Sequence, residues 1–381
     1  MENKKLRIAF CTDLYLPQLS GIADSISLLT QNLKKNGHTI RIYAPDRPGA
    51  KPEEEVMRLN SWEIPKSQGD LAFVIPVGVT KDMRDFNPDL IHVHTFSTVG
   101  LVALYARWEL GVPLVGTDHT FPADYMHYFK LDYEPFKNGS RRFAAWFYNH
   151  CAQVTAPSKS MIQELKDYGL TAPTNVISNI IPTDIFRPLP GKPSLKKKLG
   201  IEGKGVLIFG RVAKEKNLDF ALEVFAEAAK KEALTFVVLG HGPYEEELKT
   251  KAESMKVKSK FLGALKGEKL VEAVNACDVY LITSTSDTQS MTTLQSMACE
   301  LPVVGAKAGG LPEYIIDNET GFIVEPTDKN TYVDKILKLV RDEKLSKALG
   351  KAGRKKAMEF SPESITAKFE EVYRKALANK K

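Results

Sequence analysis

The 381-residue chain has few cysteines, only Cys11, Cys151, Cys277 and Cys299. No two of them form a C-x-x-C pair, and their spacing fits neither a zinc site nor a disulfide framework. Thiols used this sparingly suit a reducing compartment, so a cytoplasmic location is expected. Long apolar runs are missing as well. None reaches the ~18 residues that cross a bilayer, and no signal peptide precedes the strand-like run Leu6–Phe10. Any membrane contact is therefore expected to be peripheral, at the inner face of the plasma membrane. Two phosphate-binding signatures are absent. There is no G-x-G-x-x-G after the first strand and no G-x-x-x-x-G-K-[ST], which disfavours dinucleotide enzymes and P-loop NTPases. Nor is there a large excess of one charge. A net charge of +6 falls well short of a nucleic-acid footprint, so no nucleic-acid partner is expected.

Hydrophobic residues make up 43% and charged residues 26%, which is ordinary globular composition. The length suits two domains. Residues 1–190 carry 20 basic and 20 acidic side chains, and the rest carry 33 and 27. The whole excess lies in the second half, where either a phosphate-rich ligand or solvated lysine, as in Lys196-Lys197-Lys198, accounts for it.

Short apolar strands alternate with helical patterns, which implies a parallel α/β architecture. In the first half, strands are expected at Arg7–Cys11, Thr39–Ala44, Leu90–His94, Leu114–Gly116, Gln153–Ala156 and Asn175–Ile177. A helix is expected over Ser25–Asn36, stopped by Gly37. The pattern restarts with strands at Val206–Phe209, Thr235–Leu239, Lys260–Leu262, Val279–Thr283 and Val303–Gly305, and with helices between them. Pro182–Pro193 has the composition of a connector. Two α/β halves imply a cleft, with ligands beyond the carboxyl ends of the strands. A last helix, Ser361–Ala378, has its cap signal in Ser361-Pro362-Glu363.

Three loops of the second half carry candidate chemistry. In Gly210-Arg211-Val212-Ala213-Lys214-Glu215-Lys216-Asn217 a glycine turn puts two cations beside a helix start, which suits a diphosphate leaving group. Surface charge on a connector is the plainer reading. Gly240-His241-Gly242-Pro243 lets the backbone approach a ligand closely. Ser284–Thr292 ends a strand with small hydroxyl residues and Asp287, a carboxylate able to take two sugar hydroxyls. Simple helix capping explains the same residues. In the first half, Gly21 lies between strand and helix with an amide free to meet a ligand, and His119 ends another strand. His92 and His94 share a strand face but lack a third metal ligand. No metal is expected.

These segments together resemble the retaining glycosyltransferases of family 4, of GT-B fold, with a weaker likeness to the bacterial diacylglycerol α-glucosyltransferases. The resemblance runs from Arg7 to about Ala378. Tyr15-Leu16-Pro17-Gln18-Leu19-Ser20-Gly21-Ile22 and Asp118-His119-Thr120-Phe121-Pro122 carry the lipid-subgroup signal. Pro157-Ser158, Gly210-Arg211 with Lys216-Asn217, Gly240-His241-Gly242-Pro243 and Asp287 through Val304 carry the family signal. The resemblance implies two Rossmann-like domains facing across a cleft, 1–181 with the crossing helix 362–381 for the acceptor and 182–361 for the nucleotide-sugar. It implies transfer of a hexose from a UDP-sugar to a lipid, 1,2-diacylglycerol, with a soluble or polyprenyl-linked sugar acceptor, or a non-catalytic binding protein, as alternatives. The catalytic set it implies is His119, Arg211, Lys216 and Asp287. Donor contacts come from Gly21, Gly210, Arg211, Lys216, Gly242, Asp287, Thr288, Gln289, Ser290, Met291, Thr292 and Gln295. No cofactor is implied beyond the donor, and the chain is expected as a monomer or weak homodimer.

This sequence departs from the family pattern at several points. Asp287 and Gln295 stand where two glutamates are usual, so the ribose contact at 295 loses its charge, a change worth about 1.5–3 kcal/mol. Ser290 replaces a glycine in a loop expected to need positive φ. Asn179-Ile180-Ile181-Pro182 replaces an Asn-Gly turn. Arg141–Tyr148 mixes cations and aromatics at helical spacing, which fits either a bilayer interface or a core-facing helix with a basic edge.

Overall fold

The computed structural model describes residues 4–18, 20–63, 72–119 and 133–378. The chain divides into two compact units, Met1–Ile180 with Pro362–Lys381, and Ile181–Ser361. Two adjacent amides mark the division. Ile180 N–H donates to the Ser25 hydroxyl of the first unit, and Ile181 N–H to the Phe360 carbonyl of the second. The proline-rich run therefore opens the second unit and leads directly into one of its helices.

The strands of unit 1 are β1 (Arg7–Cys11), β2 (Thr39–Pro45), β3 (Val56–Leu59), β4 (Ser61–Glu63), β5 (Ala72–Val74), β6 (Leu90–Val93), β7 (Leu114–Thr117), β8 (Gln153–Ala156) and β9 (Thr174–Val176). Seven form a parallel sheet in the order β3-β2-β1-β6-β7-β8-β9, and β4 and β5 make a separate antiparallel pair. Unit 2 holds β10 (Lys204–Phe209), β11 (Leu234–Leu239), β12 (Ser259–Gly263), β13 (Val279–Ile282), β14 (Val303–Ala306) and β15 (Phe322–Val324), parallel in the order β12-β11-β10-β13-β14-β15. Each sheet begins in its middle and winds outward twice, which is the doubly wound topology. Both faces are covered, so central strands are buried throughout. All six residues of β11 are buried, as are all four of β6, β7 and β8.

The helices are α1 (Gly21–Lys35), α2 (Val79–Phe86), α3 (Thr98–Leu110), α4 (Glu134–Tyr148), α5 (Lys159–Asp167), α6 (Lys192–Leu199), α7 (Leu218–Ala229), α8 (Glu245–Ser254), α9 (Gly267–Asn275), α10 (Met291–Ala298), α11 (Lys329–Arg341), α12 (Glu343–Met358) and α13 (Pro362–Ala378). The first starts four residues earlier than its sequence pattern predicts. Ser20 is the cap, its hydroxyl accepting from Ile22 N–H at 3.3 Å, and Ser25 lies inside the helix. Gly21 is therefore the first helical residue and not part of a loop. The last helix buries Ile365, Phe369, Val372, Tyr373 and Ala376 at helical spacing and packs on α1 in unit 1. Among the described residues, no helix is long and apolar enough to cross a membrane.

Candidate functional site

In unit 2 the chain leaves β10 in one direction and β13 in the other, which opens a crevice beyond their carboxyl ends. The loop after β10 turns at Gly210, at φ +133. It then presents Arg211 at the surface, forms a 3-10 turn over Lys214–Lys216, and reaches Asn217 in the left-handed region at φ +53. Asn217 fastens this loop to the end of β13. Its carbonyl accepts from the Thr283 hydroxyl at 2.9 Å, and its amide donates to the Thr283 carbonyl at 3.3 Å.

That fastening brings two predicted residues together. Lys216 Nζ lies 2.9 Å from Asp287 Oδ1, with side chains 29% and 13% exposed. The other oxygen, Asp287 Oδ2, is buried and has no hydrogen-bond partner. Half of this carboxylate thus compensates the lysine, and the other half remains an acceptor. The first turn of α10 is tied to β13 and lies against the loop that leaves β10. Thr292 Oγ1 is 3.0 Å from the Tyr280 hydroxyl, and the position a Gly210 side chain would take lies 3.7 Å from the Thr292 methyl. Burial pushes the Tyr280 phenol up to about 12, so it stays neutral.

One expectation is corrected here. Ser290 needs no positive φ. It lies at φ −83 as the cap of α10, its hydroxyl accepting from Thr293 N–H and its own N–H donating to the Tyr314 hydroxyl at 2.9 Å. Serine thus suits this site as a cap. Gly242 packs its α-carbon against protein. A Cβ on it would stand 2.2 Å from the Val212 carbonyl oxygen, and one on Gly240 only 1.8 Å from that of Gly210. These glycines let the second loop lie directly on the first, where Val212 N–H donates to the His241 carbonyl and Tyr244 N–H to the Val212 carbonyl. Gly309 likewise packs on the Asp287 backbone, and Gly310 N–H donates to the Asp287 carbonyl. Thr288 and Gln289 are half-buried beside Asp287, Met291 opens α10 against the apolar core, and Gln295 is half-buried one turn further on.

In unit 1, Gly21 opens α1 and His119 follows the end of β7. His119 Nε2 shares a hydrogen bond with His94 Nδ1 at 2.9 Å, and the His94 ring stacks on Phe10 and lies 4.0 Å from that of His92. His92 in turn meets the Thr117 hydroxyl at 2.7 Å and the Tyr373 hydroxyl of α13 at 2.9 Å. Burial holds all three imidazoles neutral. It depresses His92 and His94 well below the ordinary value and brings His119 down to about 4, although Asn179 pulls that group back up. The predicted His92–His94 strand pair thus carries a hydrogen-bonded stack with His119. Among the described residues, no group of three His, Cys, Asp or Glu side chains stands where it could hold a metal. A buried carboxylate, Asp13, also lies in the loop after β1, and sequence reasoning missed it.

The outer surface of unit 1 is unusually apolar. An apolar groove of about 450 Å³ runs between β5 and α3, lined by Phe73, Val74, Leu101, Val102 and Tyr105. The segment Arg141–Tyr148 in α4 fits both sequence readings. It buries Ala144, Ala145, Phe147 and Tyr148 while Phe143 and Trp146 face solvent. Most of the run Asp118–Pro122 lies outside the described residues.

Two family models match the chain. One described as Glycosyltransferase Family 4 matches residues 19–185, and one described as Glycosyl transferases group 1 matches residues 191–356. An alpha-monoglucosyldiacylglycerol synthase of Streptococcus pneumoniae is 30% identical over 326 residues, covering 78% of this chain and 70% of that protein. A GDP-mannose-dependent alpha-mannosyltransferase of Corynebacterium glutamicum is 27% identical, covering 85% and 78%. Among solved structures, a sucrose-phosphate synthase from Thermosynechococcus elongatus superposes with a TM-score of 0.80 at 18% identity, over 98% of this chain and all of the other.

Proposed function

This chain belongs to glycosyltransferase family 4 and has the GT-B fold, and from that premise we propose that it moves a hexose from a UDP-sugar to a hydroxyl of a membrane lipid, 1,2-diacylglycerol, with retention of configuration. The observation that carries the donor side is the Lys216–Asp287 pair at the switch point of unit 2. Arg211 and Lys216 neutralise the departing diphosphate, in the role a metal ion fills elsewhere. Asp287 Oδ2 accepts from a sugar hydroxyl. Gln295 meets the ribose, and Gly21 and His119 keep the diphosphate and sugar contacts that the family likeness implies. The bond from the anomeric carbon to the phosphate oxygen breaks as the bond to the acceptor oxygen forms on the same face. The acceptor proton leaves with the diphosphate. His119 acts as a neutral imidazole, a hydrogen-bonding partner rather than a cation.

The lipid side is supported by the aromatic surface and groove of unit 1 and by the name of the Streptococcus pneumoniae relative. Trp and Tyr settle readily at membrane interfaces, so the proposed contact is peripheral, at a cytoplasmic membrane face. A second donor reading is GDP-mannose, favoured by the Corynebacterium glutamicum relative. Titration calorimetry with UDP- and GDP-sugars separates the two, and tighter binding of a GDP-sugar sinks the UDP reading. Gln295→Glu is expected to tighten the preferred nucleotide by about 10–100-fold if residue 295 meets the ribose. Unchanged binding removes that contact from the account.

A further inference from the structure

Unit 1 has its own switch point, between β1 and β6. The loop after β1 carries Asp13, and the loop after β6 carries Thr95 and Ser97. Asp13 is 2% exposed. Its Oδ2 accepts a hydrogen bond from the Ser97 hydroxyl. Burial pushes this carboxyl up, while the Ser97 and Thr95 hydroxyls and the Arg47 guanidinium favour its charged form. Its Oδ1 is also buried and has no partner.

Two other carboxylates of the same unit make a useful contrast. Asp82 uses both oxygens, Oδ1 accepting from Tyr43 and Arg41 and Oδ2 from Arg41. Asp89 accepts from Lys4 with one oxygen and from Arg7 N–H with the other. Both are partly exposed, at 29% and 22%, and both oxygens are still paired; an unpaired acceptor that is fully buried is costlier still. Asp13 is half satisfied at the place in a doubly wound sheet where ligands bind.

The chemistry of the missing partner is constrained. A carboxylate only accepts, so the partner must donate. It repels phosphate, so it is unsuited to the diphosphate that the cationic loops of unit 2 suit. A neutral hydroxyl fits. We propose that Asp13 binds the acceptor substrate, its Oδ1 taking the hydrogen bond of the hydroxyl that becomes glycosylated while Ser97 fixes the other oxygen. The carboxylate orients the nucleophilic oxygen, and the proton still departs with the diphosphate. The inference rests on unit 1 being the acceptor side, not on the acceptor being a lipid.

Asp13→Asn keeps the size of the side chain and its bond to Ser97 but puts a donor where an acceptor is needed. Initial rates are measured with donor and acceptor varied separately, beside acceptor-independent hydrolysis of UDP-glucose. The expected result is a fall of about 10–100-fold in kcat/KM for the acceptor, with donor KM and hydrolysis within about twofold of wild type. Ser97→Ala is expected to raise acceptor KM by a smaller factor, and Asp13→Glu to recover part of the loss. Unchanged acceptor kinetics in Asp13→Asn overturn the proposal. Equal losses in transfer and hydrolysis also overturn it, because they place Asp13 on the donor sugar. If circular dichroism shows Asp13→Asn misfolded, Ser97→Ala decides by the same comparison. If wild type glycosylates no lipid, the same kinetics are read on the sugar or glycerol acceptor it does use. The lipid reading then fails in wild type, and the Asp13 inference fails only in the variants.

Discussion

The two units share a topology and differ in almost everything they present to solvent. Of the residues described, every exposed aromatic side chain is in unit 1: Trp62, Phe73, Tyr105, Trp108, Tyr133, Phe136, Phe143 and Trp146. Unit 2 exposes only Ile185, Met255, Ile316 and Met358 among its large apolar side chains. The histidines divide in the same way, with six of seven in unit 1 and only His241 in unit 2. Unit 2 places cations and a carboxylate at its switch point, whereas unit 1 places neutral imidazoles and a half-satisfied Asp13 at its own. One scaffold thus carries two chemistries because its loops and outer faces differ while the doubly wound strand order is shared. The proposed division, acceptor to unit 1 and nucleotide-sugar to unit 2, follows this difference.

The largest effect is expected in unit 2. Arg211→Ala or Lys216→Ala should each lower turnover about 100–1,000-fold, the loss typical when a group stabilising developing charge is removed. Both should lower donor hydrolysis as much as transfer, unlike Asp13→Asn. Selective loss of transfer would erase the proposed division.

A second difference appears in acid. Burial depresses His92, His94 and His119, so below the ordinary imidazole value of 6.5 the unfolded chain binds protons that folded unit 1 does not. Stability is therefore greatest above that pH and falls as pH drops toward the folded values. The slope is at most about 1.4 kcal/mol per pH unit for each histidine. Hydrogen exchange followed by mass spectrometry between pH 7.5 and 5 should show peptides of unit 1 losing protection first. Earlier loss in unit 2 would contradict this. The smallest effect concerns the aromatic surface. Trp108 is 76% exposed, so Trp108→Ser should leave the melting temperature unchanged while weakening vesicle sedimentation by about 3–10-fold. An equal effect from Met358→Ser would deny unit 1 its special face.

Much of the scaffold is legible in the sequence because strands buried on both faces are written as unbroken apolar runs, as in β11. The edge strand β3 does not stand out, because half-buried Met57 and Arg58 separate its two buried apolar ends. The start of α1 is misread because Ser20 and Ser25 both look like caps; Ser20 is the cap, and the Ser25 hydroxyl instead accepts from Ile180 N–H, 155 residues away. The Arg211, Lys216 and Asp287 loops stand out because strand, glycine, charge and helix follow one another locally. The Lys216–Asp287 pair spans 71 residues and needs the fold. The glycines at 240 and 242 signal a close approach, but only the structure identifies the partner as the neighbouring loop. Asp13 reads as an ordinary loop acid because its hydroxyl partners, Ser97 and Thr95, come from a loop more than 80 residues away.

The most direct test of the central claim is mass spectrometry of lipids extracted after incubating the purified protein with diacylglycerol-containing vesicles and a panel of UDP- and GDP-sugars, beside Arg211→Ala. One new hexosyl-diacylglycerol is expected, formed from a UDP-sugar and absent with the variant. No glycolipid from any pair, while nucleotide still binds, would contradict it and assign the chain to another acceptor or to binding without transfer.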